Sequence, residues 1–238
     1  MEKRLMETAH IKPINNGEFA STVIMPGDPL RSQMIAEKIL TDAVLINNVR
    51  GIQGYTGYYN GKKVSVMASG MGNPTMGIYS YELFKFFGVE KIIRVGSIGA
   101  MQKDIPLKSL ILTEKTFTNT NYNNFFIQNG ENYVSCSQSL LLAAKYKANS
   151  LKLNFKIGNT LCSDTFYTDE NEIEKAQKHN LLGVEMESAA LYLNAERLGK
   201  QALTICTVSN NLITGAETTA DERQNSFVDM IKLALELA

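Results

Sequence analysis

The sequence predicts an α/β protein with a mixed sheet, folded as one domain over residues 1–238. Three observations predict it. Short apolar runs of strand length alternate with segments of helical spacing, which is the order of an α/β fold. An Asn60-Gly61 pair lies between two strand-like runs and supplies the two positive-φ residues of a type I′ hairpin, so at least one strand pair is antiparallel. No linker, repeat or low-complexity stretch divides the chain.

Thr22-Val23-Ile24-Met25 reads as a buried strand stopped by Pro26-Gly27-Asp28-Pro29. Leu30 to Leu40 has helical spacing, with Met34, Ile35 and Ile39 apolar, and Ala43 to Asn47 reads as a strand. The hairpin follows, with arms 55–59 and 62–67. A glycine-rich break (Ser69-Gly70-Met71-Gly72) leads into a helix over 75–87. Strands are predicted at 91–95 and 109–113, the first followed by a Gly96-Ser97-Ile98-Gly99 turn. Residues 115–135 are polar and asparagine-rich and read as an irregular loop. A helix over 139–148, a strand over 153–157 and a charged helix over 170–180 come next. Gln201 to Val208 is an apolar strand. The last helix is expected to begin at Thr219-Ala220-Asp221-Glu222, which has capping-box spacing, and to carry Phe227, Met230, Ile231, Ala234 and Leu235 on one face.

Composition excludes several classes. The 24 lysines and arginines balance 24 aspartates and glutamates, leaving no cationic excess for nucleic acid or an anionic membrane. No apolar run approaches the length of a membrane span, and the first residues lack the apolar core of a signal peptide. Cys136, Cys162 and Cys206 are odd in number and form no C-x-x-C pair, so they read as reduced thiols of a cytoplasmic protein. A chain of this length can bury roughly 70% of its unfolded surface and needs no disulfide staples.

The candidate chemistry centres on Gly183-Val184-Glu185-Met186-Glu187-Ser188, where a strand hands over to a helix. Strand alternation puts Glu185 and Glu187 on one face and Val184 and Met186 on the other. Carboxylates at the carboxyl end of an α/β strand suit a sugar diol or a cation; the plain alternative is two solvated acids flanking a core methionine. Arg94 lies inside an apolar strand and needs an anionic partner, either an internal carboxylate or a bound oxyanion. Gly96 and Ser97 beyond it, and Arg31 after the Gly27 turn, make a phosphate-sized dianion plausible. Arg223 falls on the inward face of the last helix, while Glu222 reads as the capping acid. His10 and His179 read as surface residues, and Met71 and Met186 as core fillers. Histidines and cysteines show no metal-site spacing, and neither a P-loop nor a G-x-S-x-G elbow is present.

Met25-Pro26-Gly27-Asp28-Pro29-Leu30-Arg31, Asn48-Val49-Arg50-Gly51, Gly70-Met71-Gly72, Arg94-Val95-Gly96-Ser97, Val184-Glu185-Met186-Glu187 and Ile205-Cys206-Thr207-Val208-Ser209, followed by Thr218 to Gln224, together resemble the hexameric bacterial-type (DeoD-type) purine nucleoside phosphorylases. The resemblance spans residues 8–236 and weakens over 114–150. It implies a nucleoside phosphorylase-like three-layer α/β/α sandwich with a central mixed sheet. It also implies a hexamer built as a trimer of dimers, with no cofactor and inorganic phosphate as co-substrate. By the same resemblance, Gly27, Arg31, Arg94 and Ser97 hold phosphate, joined by Arg50 of a neighbouring subunit. Glu187 takes the ribose hydroxyls, within a nucleoside site that also includes Glu185 and Ser209. Met71 and Met186 pack on the sugar, His10 of the neighbour reaches the 5′ hydroxyl, and Phe166 stacks near the base.

Two departures stand out. The family has a Ser-Asp pair whose aspartate is the acid to purine N7, partnered by an arginine at the position of Arg223; here the pair is Ser209-Asn210, followed by Asn211. An amide donates a hydrogen bond and transfers no proton, and general acid catalysis is worth about 10²–10⁴-fold. A 6-oxopurine leaves as a delocalised anion and depends less on that proton than adenine does. The expectation is therefore a phosphorylase favouring 6-oxopurines. The family's basic, serine-containing stretch near the base site is replaced by Phe117-Thr118-Asn119-Thr120-Asn121-Tyr122-Asn123-Asn124-Phe125-Phe126. The competing readings are a nucleosidase of the same superfamily, which three phosphate-site arginines disfavour, and a nucleoside-binding protein that has lost catalysis, which Asn210 motivates.

Overall fold

A computed structural model describes residues 6–15, 17–118, 120–126, 132–167, 171–219, 221–222 and 227–238. The chain begins with β1 (Thr22–Pro26) and α1 (Pro29–Lys38). Asp28 caps α1 by accepting a hydrogen bond from the Leu30 N–H at 2.9 Å, and Pro29 opens it, as its fixed φ allows. β2 (Thr41–Asn47) precedes the hairpin of β3 (Gly54–Tyr59) and β4 (Lys62–Met67), which turns through Asn60 at φ 50 and Gly61 at φ 77. Then follow α2 (Asn73–Phe86), β5 (Lys91–Ala100), β6 (Leu110–Thr118), α3 (Asn121–Asn124), β7 (Tyr133–Ser135), α4 (Gln138–Ser150) and β8 (Phe155–Cys162). The chain closes with α5 (Glu172–His179), β9 (Gly183–Glu185), α6 (Ser188–Leu198), β10 (Gln201–Asn211) and α7 (Val228–Leu235).

These strands form one mixed sheet in the order β10-β6-β8-β9-β5-β1-β4-β3-β2, with β7 against β6. β10 also pairs with β5, so β5, β9, β8, β6 and β10 close into a ring. β1 is parallel to β4 and β5, and β5 to β10. β9 is antiparallel to β5, with Val184 opposite Gly99, so the chain beyond Glu185 runs back along β5 toward Arg94. Helices surround this sheet: α1 lies on β1 to β4, α2 packs on α6, and α4 packs with α7 against β10. This is the expected α/β arrangement of helices about a central mixed sheet. Tyr192 of α6 is buried and fixes that helix to the ring, its hydroxyl donating to the Thr113 carbonyl at 2.8 Å and accepting from the Thr204 N–H at 3.0 Å.

β8 runs on to Cys162, beyond the strand read at 153–157, and three further stretches differ from the sequence reading. Gly96–Gly99 is not a turn; β5 continues to Ala100. Its glycines mark crowding instead, since a Cβ on Gly96 would meet the Arg94 guanidinium at 2.7 Å and one on Gly99 the Asn210 amide at 3.3 Å. The 115–135 stretch is not one irregular loop: β6 runs to Thr118, and α3 and β7 lie within the span. Buried Thr113, Thr116 and Thr118 gave that strand its polar look. The capping box does form, with the Thr219 N–H on Glu222 Oε2 at 2.9 Å and the Glu222 N–H on Thr219 Oγ1 at 3.2 Å. Phe227 is nonetheless non-helical (φ −88, ψ 51), so α7 starts afresh at Val228. Arg223 lies outside the described residues.

Candidate active site

The end of β1 lies beside the middle of β5, with Met25 opposite Arg94 and Pro26 opposite Val95, while β4 flanks β1 and β9 pairs with the end of β5. Two loops lock together there: the Ser69 N–H donates to the Pro26 carbonyl at 2.8 Å and the Gly70 N–H to the Gly27 carbonyl at 3.1 Å. A Cβ on Gly27 would press on the Gly70 carbonyl at 3.1 Å and stand 4.0 Å from Arg94 Nη1, so only glycine leaves this approach open.

Arg94 folds back over Gly96 and is almost fully buried. Its Nε meets Glu185 Oε2 at 3.1 Å and its Nη2 pairs with Glu187 Oε2. The internal carboxylates left open by the sequence are therefore present, and Nη1 faces Gly27. Burial opposes the charge of Arg94, but Glu187 and Glu185 outweigh it and hold the guanidinium above its ordinary value. Arg31 occupies the first turn of α1, also buried. Burial pulls its guanidinium below the ordinary value; Asp28 opposes this and the neighbouring Arg94 charge adds to it. Two buried cations thus adjoin a glycine turn. Ser97 is the exposed residue of β5 on the same stretch.

The two acids are not solvated: Glu185 and Glu187 are 4% and 5% exposed. Glu185 accepts the Glu187 N–H at 2.9 Å and the Ser188 N–H at 3.0 Å, anchoring the start of α6 besides holding Arg94. Glu187 accepts the Gly72 N–H at 2.8 Å. Gly72 sits at φ 88, a backbone region that favours glycine and aims this N–H. Burial pushes the Glu187 carboxyl above its ordinary value; Arg94 resists, but one guanidinium cannot neutralise two carboxylates, and Glu185 adds to the shift.

Met71 is not a core filler but 82% exposed, and Met186 is half-buried. Phe166 is 70% exposed, in the segment after β8 that is tied down by the Ser163 N–H on the Glu185 carbonyl at 2.9 Å. Ser209 is the bulged residue between Val208 and Asn210 in the β10–β5 pairing, and its Oγ donates to Asn210 Oδ1 at 2.9 Å. That bond engages the amide oxygen of Asn210, and its Nδ2 lies over Gly99. Asn211 is buried: its Nδ2 donates to the Gln102 and Ile105 carbonyls at 3.0 Å each, and its Oδ1 accepts the Ile213 and Thr214 N–H groups.

His10 lies against α2. The His10 ring lies edge-on to Tyr79 at 6.1 Å and bonds Glu82 at 2.7 Å. Arg50 is exposed, at φ 57, and its charge acts on the Tyr79 hydroxyl, opposing the rise that burial causes there. His179 is not a plain surface residue: it stacks on Phe117 at 4.3 Å and bonds the Tyr133 hydroxyl. Asn73, Asp164 and the Gly72 amide escaped the sequence reading, although Gly72-Asn73-Pro74 has the look of a helix start.

A family profile described as the phosphorylase superfamily matches residues 21–238. The chain is 47% identical over 232 residues to a protein of Psychromonas ingrahamii, covering 97% of this chain and 98% of the other. It is equally similar to one of Shewanella oneidensis, at 47% over 97% and 99%. To one of Bacillus velezensis it is 45% identical over 92% and 94%. All three bear the name purine nucleoside phosphorylase DeoD-type. With a profile match over most of its length and relatives this similar along nearly their whole chains, this chain belongs to the phosphorylase superfamily, in its DeoD-type purine nucleoside phosphorylase family.

Proposed function

We propose that the protein catalyses the reversible phosphorolysis of purine ribonucleosides and 2′-deoxyribonucleosides, releasing the free base and (2-deoxy)ribose 1-phosphate. The observation that carries the reading is the pair of buried guanidinium groups, Arg31 and Arg94, beside the Gly27 turn and next to the buried Glu187 carboxylate. A phosphate held by Gly27, Arg31, Arg94 and Ser97 would lie beneath the sugar. Its oxygen would attack C1′ as the C1′–N9 bond breaks and the bond's electron pair leaves with the base. The sugar passes through an oxocarbenium-like state, which a held dianion both stabilises and traps. Glu187 would accept the ribose hydroxyls, with Met71 and Met186 against the sugar and Phe166 near the base. Glu185 would act on the nucleoside through Arg94 and Glu187, which it holds.

His10 and Arg50 would complete the site of a neighbouring subunit in a hexamer made of dimers; the exposure of Arg50 is compatible with that destination. The free thiols fit a cytoplasmic setting. At the base, Asn210 would donate its NH₂ to N7, oriented by Ser209, with Arg223 as its neighbour in the family pattern. An amide supplies no proton, so inosine and guanosine are the favoured substrates and adenosine is turned over poorly.

Base release from inosine and adenosine, each with and without phosphate, tests this reading. Phosphate-dependent release, faster from inosine, is expected. Asn210→Asp should raise adenosine turnover by about 10²-fold or more. Equal wild-type turnover of both nucleosides would sink the role given to Asn210, and release without phosphate would mean a hydrolase. Asn210 itself favours one second reading, a nucleoside-binding protein; a nucleoside-induced rise in melting temperature with no base release would establish it.

A further inference from the structure

We propose that Asn73, backed by Asp164, is a positioning residue that sets the Glu187 carboxylate for the sugar hydroxyls and so governs the preference for ribose over 2′-deoxyribose. This rests on the nucleoside reading of Glu187 given above. Asn73 is completely buried at the first position of α2. Its Nδ2 donates to Asp164 Oδ1 at 3.0 Å and to Cys162 Sγ at 3.3 Å, and its Oδ1 accepts the Ala190 N–H at 3.0 Å. One amide therefore joins α2, α6, the end of β8 and the segment that carries Phe166.

Glu187 lies between two of the clamped backbones. On one side Gly72, the residue before Asn73, donates its N–H to Glu187 Oε1. On the other, Ala190 stands three residues beyond Glu187 in α6. With Asn73 in place, the Gly72 N–H and the carboxylate are held at a fixed mutual distance and angle. A carboxylate oxygen that accepts one N–H retains acceptor capacity for a sugar hydroxyl. Without the amide, the Ala190 N–H and the Asp164 carboxylate lose their common partner, and the Gly72 N–H that holds Glu187 is no longer fixed relative to α6. Asp164 is exposed, and its carboxylate accepts from the donor end of Asn73. An aspartate at position 73 would not serve, because its carboxylate would face that of Asp164.

The test compares inosine with 2′-deoxyinosine in wild type, Asn73→Ala and Asp164→Ala. The ratio of their kcat/KM values is measured in turnover, and the ratio of their Kd values by calorimetry. Both variants are expected to lower the ribose preference by about threefold to tenfold, the effect of misplacing one hydrogen bond, with the KM for phosphate changed by less than about twofold. A folded variant with an unchanged ratio overturns the proposal. So does an equal loss on both nucleosides together with a rise in phosphate KM, which is what a merely structural residue would give. A wild type that does not distinguish the two nucleosides also overturns it. Asp164→Ala alters an exposed side chain and decides the matter if Asn73→Ala fails to fold. The binding ratio reports on Asn73 even in a protein that releases no base, whereas missing phosphate-dependent release in wild type speaks only against phosphorolysis.

Discussion

Glu187 holds a negative charge where burial and a second carboxylate both disfavour it, and this makes its titration visible in function. Its value in the folded protein is raised, so as pH falls it takes up a proton before an ordinary glutamate would. The neutral carboxyl accepts sugar hydroxyls less well and releases Arg94 from its pair. The acid limb of kcat/KM for inosine should therefore begin above the ordinary carboxylate range. Glu187→Gln, with much lower activity, should lose that limb and keep only the one set by phosphate ionisation; superimposable profiles would refute this. Arg94 was legible in the sequence because a charge in an apolar run demands a partner, and Glu187 because it shares a strand face with Glu185 where a strand hands over to a helix. That they partner each other was not, because the contact depends on β9 running antiparallel to β5. Asn73 was invisible for a different reason: an asparagine before a proline reads as a helix start, and nothing local says its amide will be buried among four elements.

The elements were easiest to read where local chemistry fixes them. Asn60-Gly61 and the Thr219–Glu222 box formed as written, since turn dihedrals and cap hydrogen bonds need only neighbouring residues. β5 was read too short because its glycines serve packing of Arg94 and Asn210 rather than a change of direction. The anchoring of α6 gives a test at this scale. Tyr192→Phe removes a hydroxyl that both donates to Thr113 and accepts from Thr204, leaving two buried backbone groups unpaired. It should cost about 1–3 kcal/mol of unfolding free energy in urea titration, with little change in the m-value. A loss near zero would mean that water enters to replace the hydroxyl.

At the scale of the molecule, the three thiols report on the intact fold. Cys136, Cys162 and Cys206 are free and buried. Burial pushes Cys206 up to about 12 and, with help from Glu114, Cys136 to about 12; Cys162 is also raised, first by burial and then by Glu185. None should react with a disulfide reagent at mildly alkaline pH until the protein unfolds, when all three should. Rapid labelling of any one in the folded protein would contradict this burial. The fold class was legible from the alternation of strands and helices, but the ring was not. Pairing of β10 with both β5 and β6 joins segments far apart in the chain, and no short window of sequence records it.

That ring sets an order for amide hydrogen exchange. β5 is bonded to β1, β10 and β9, while β2 ends the sheet with Thr41–Val44 facing outward. Deuterium should enter β2 through local openings and reach β5 only when the entire chain comes apart. Arg94 thus rides on the segment that exchanges last, and in a denaturant series the capacity to hold an anion should vanish together with the slowest amides rather than ahead of them.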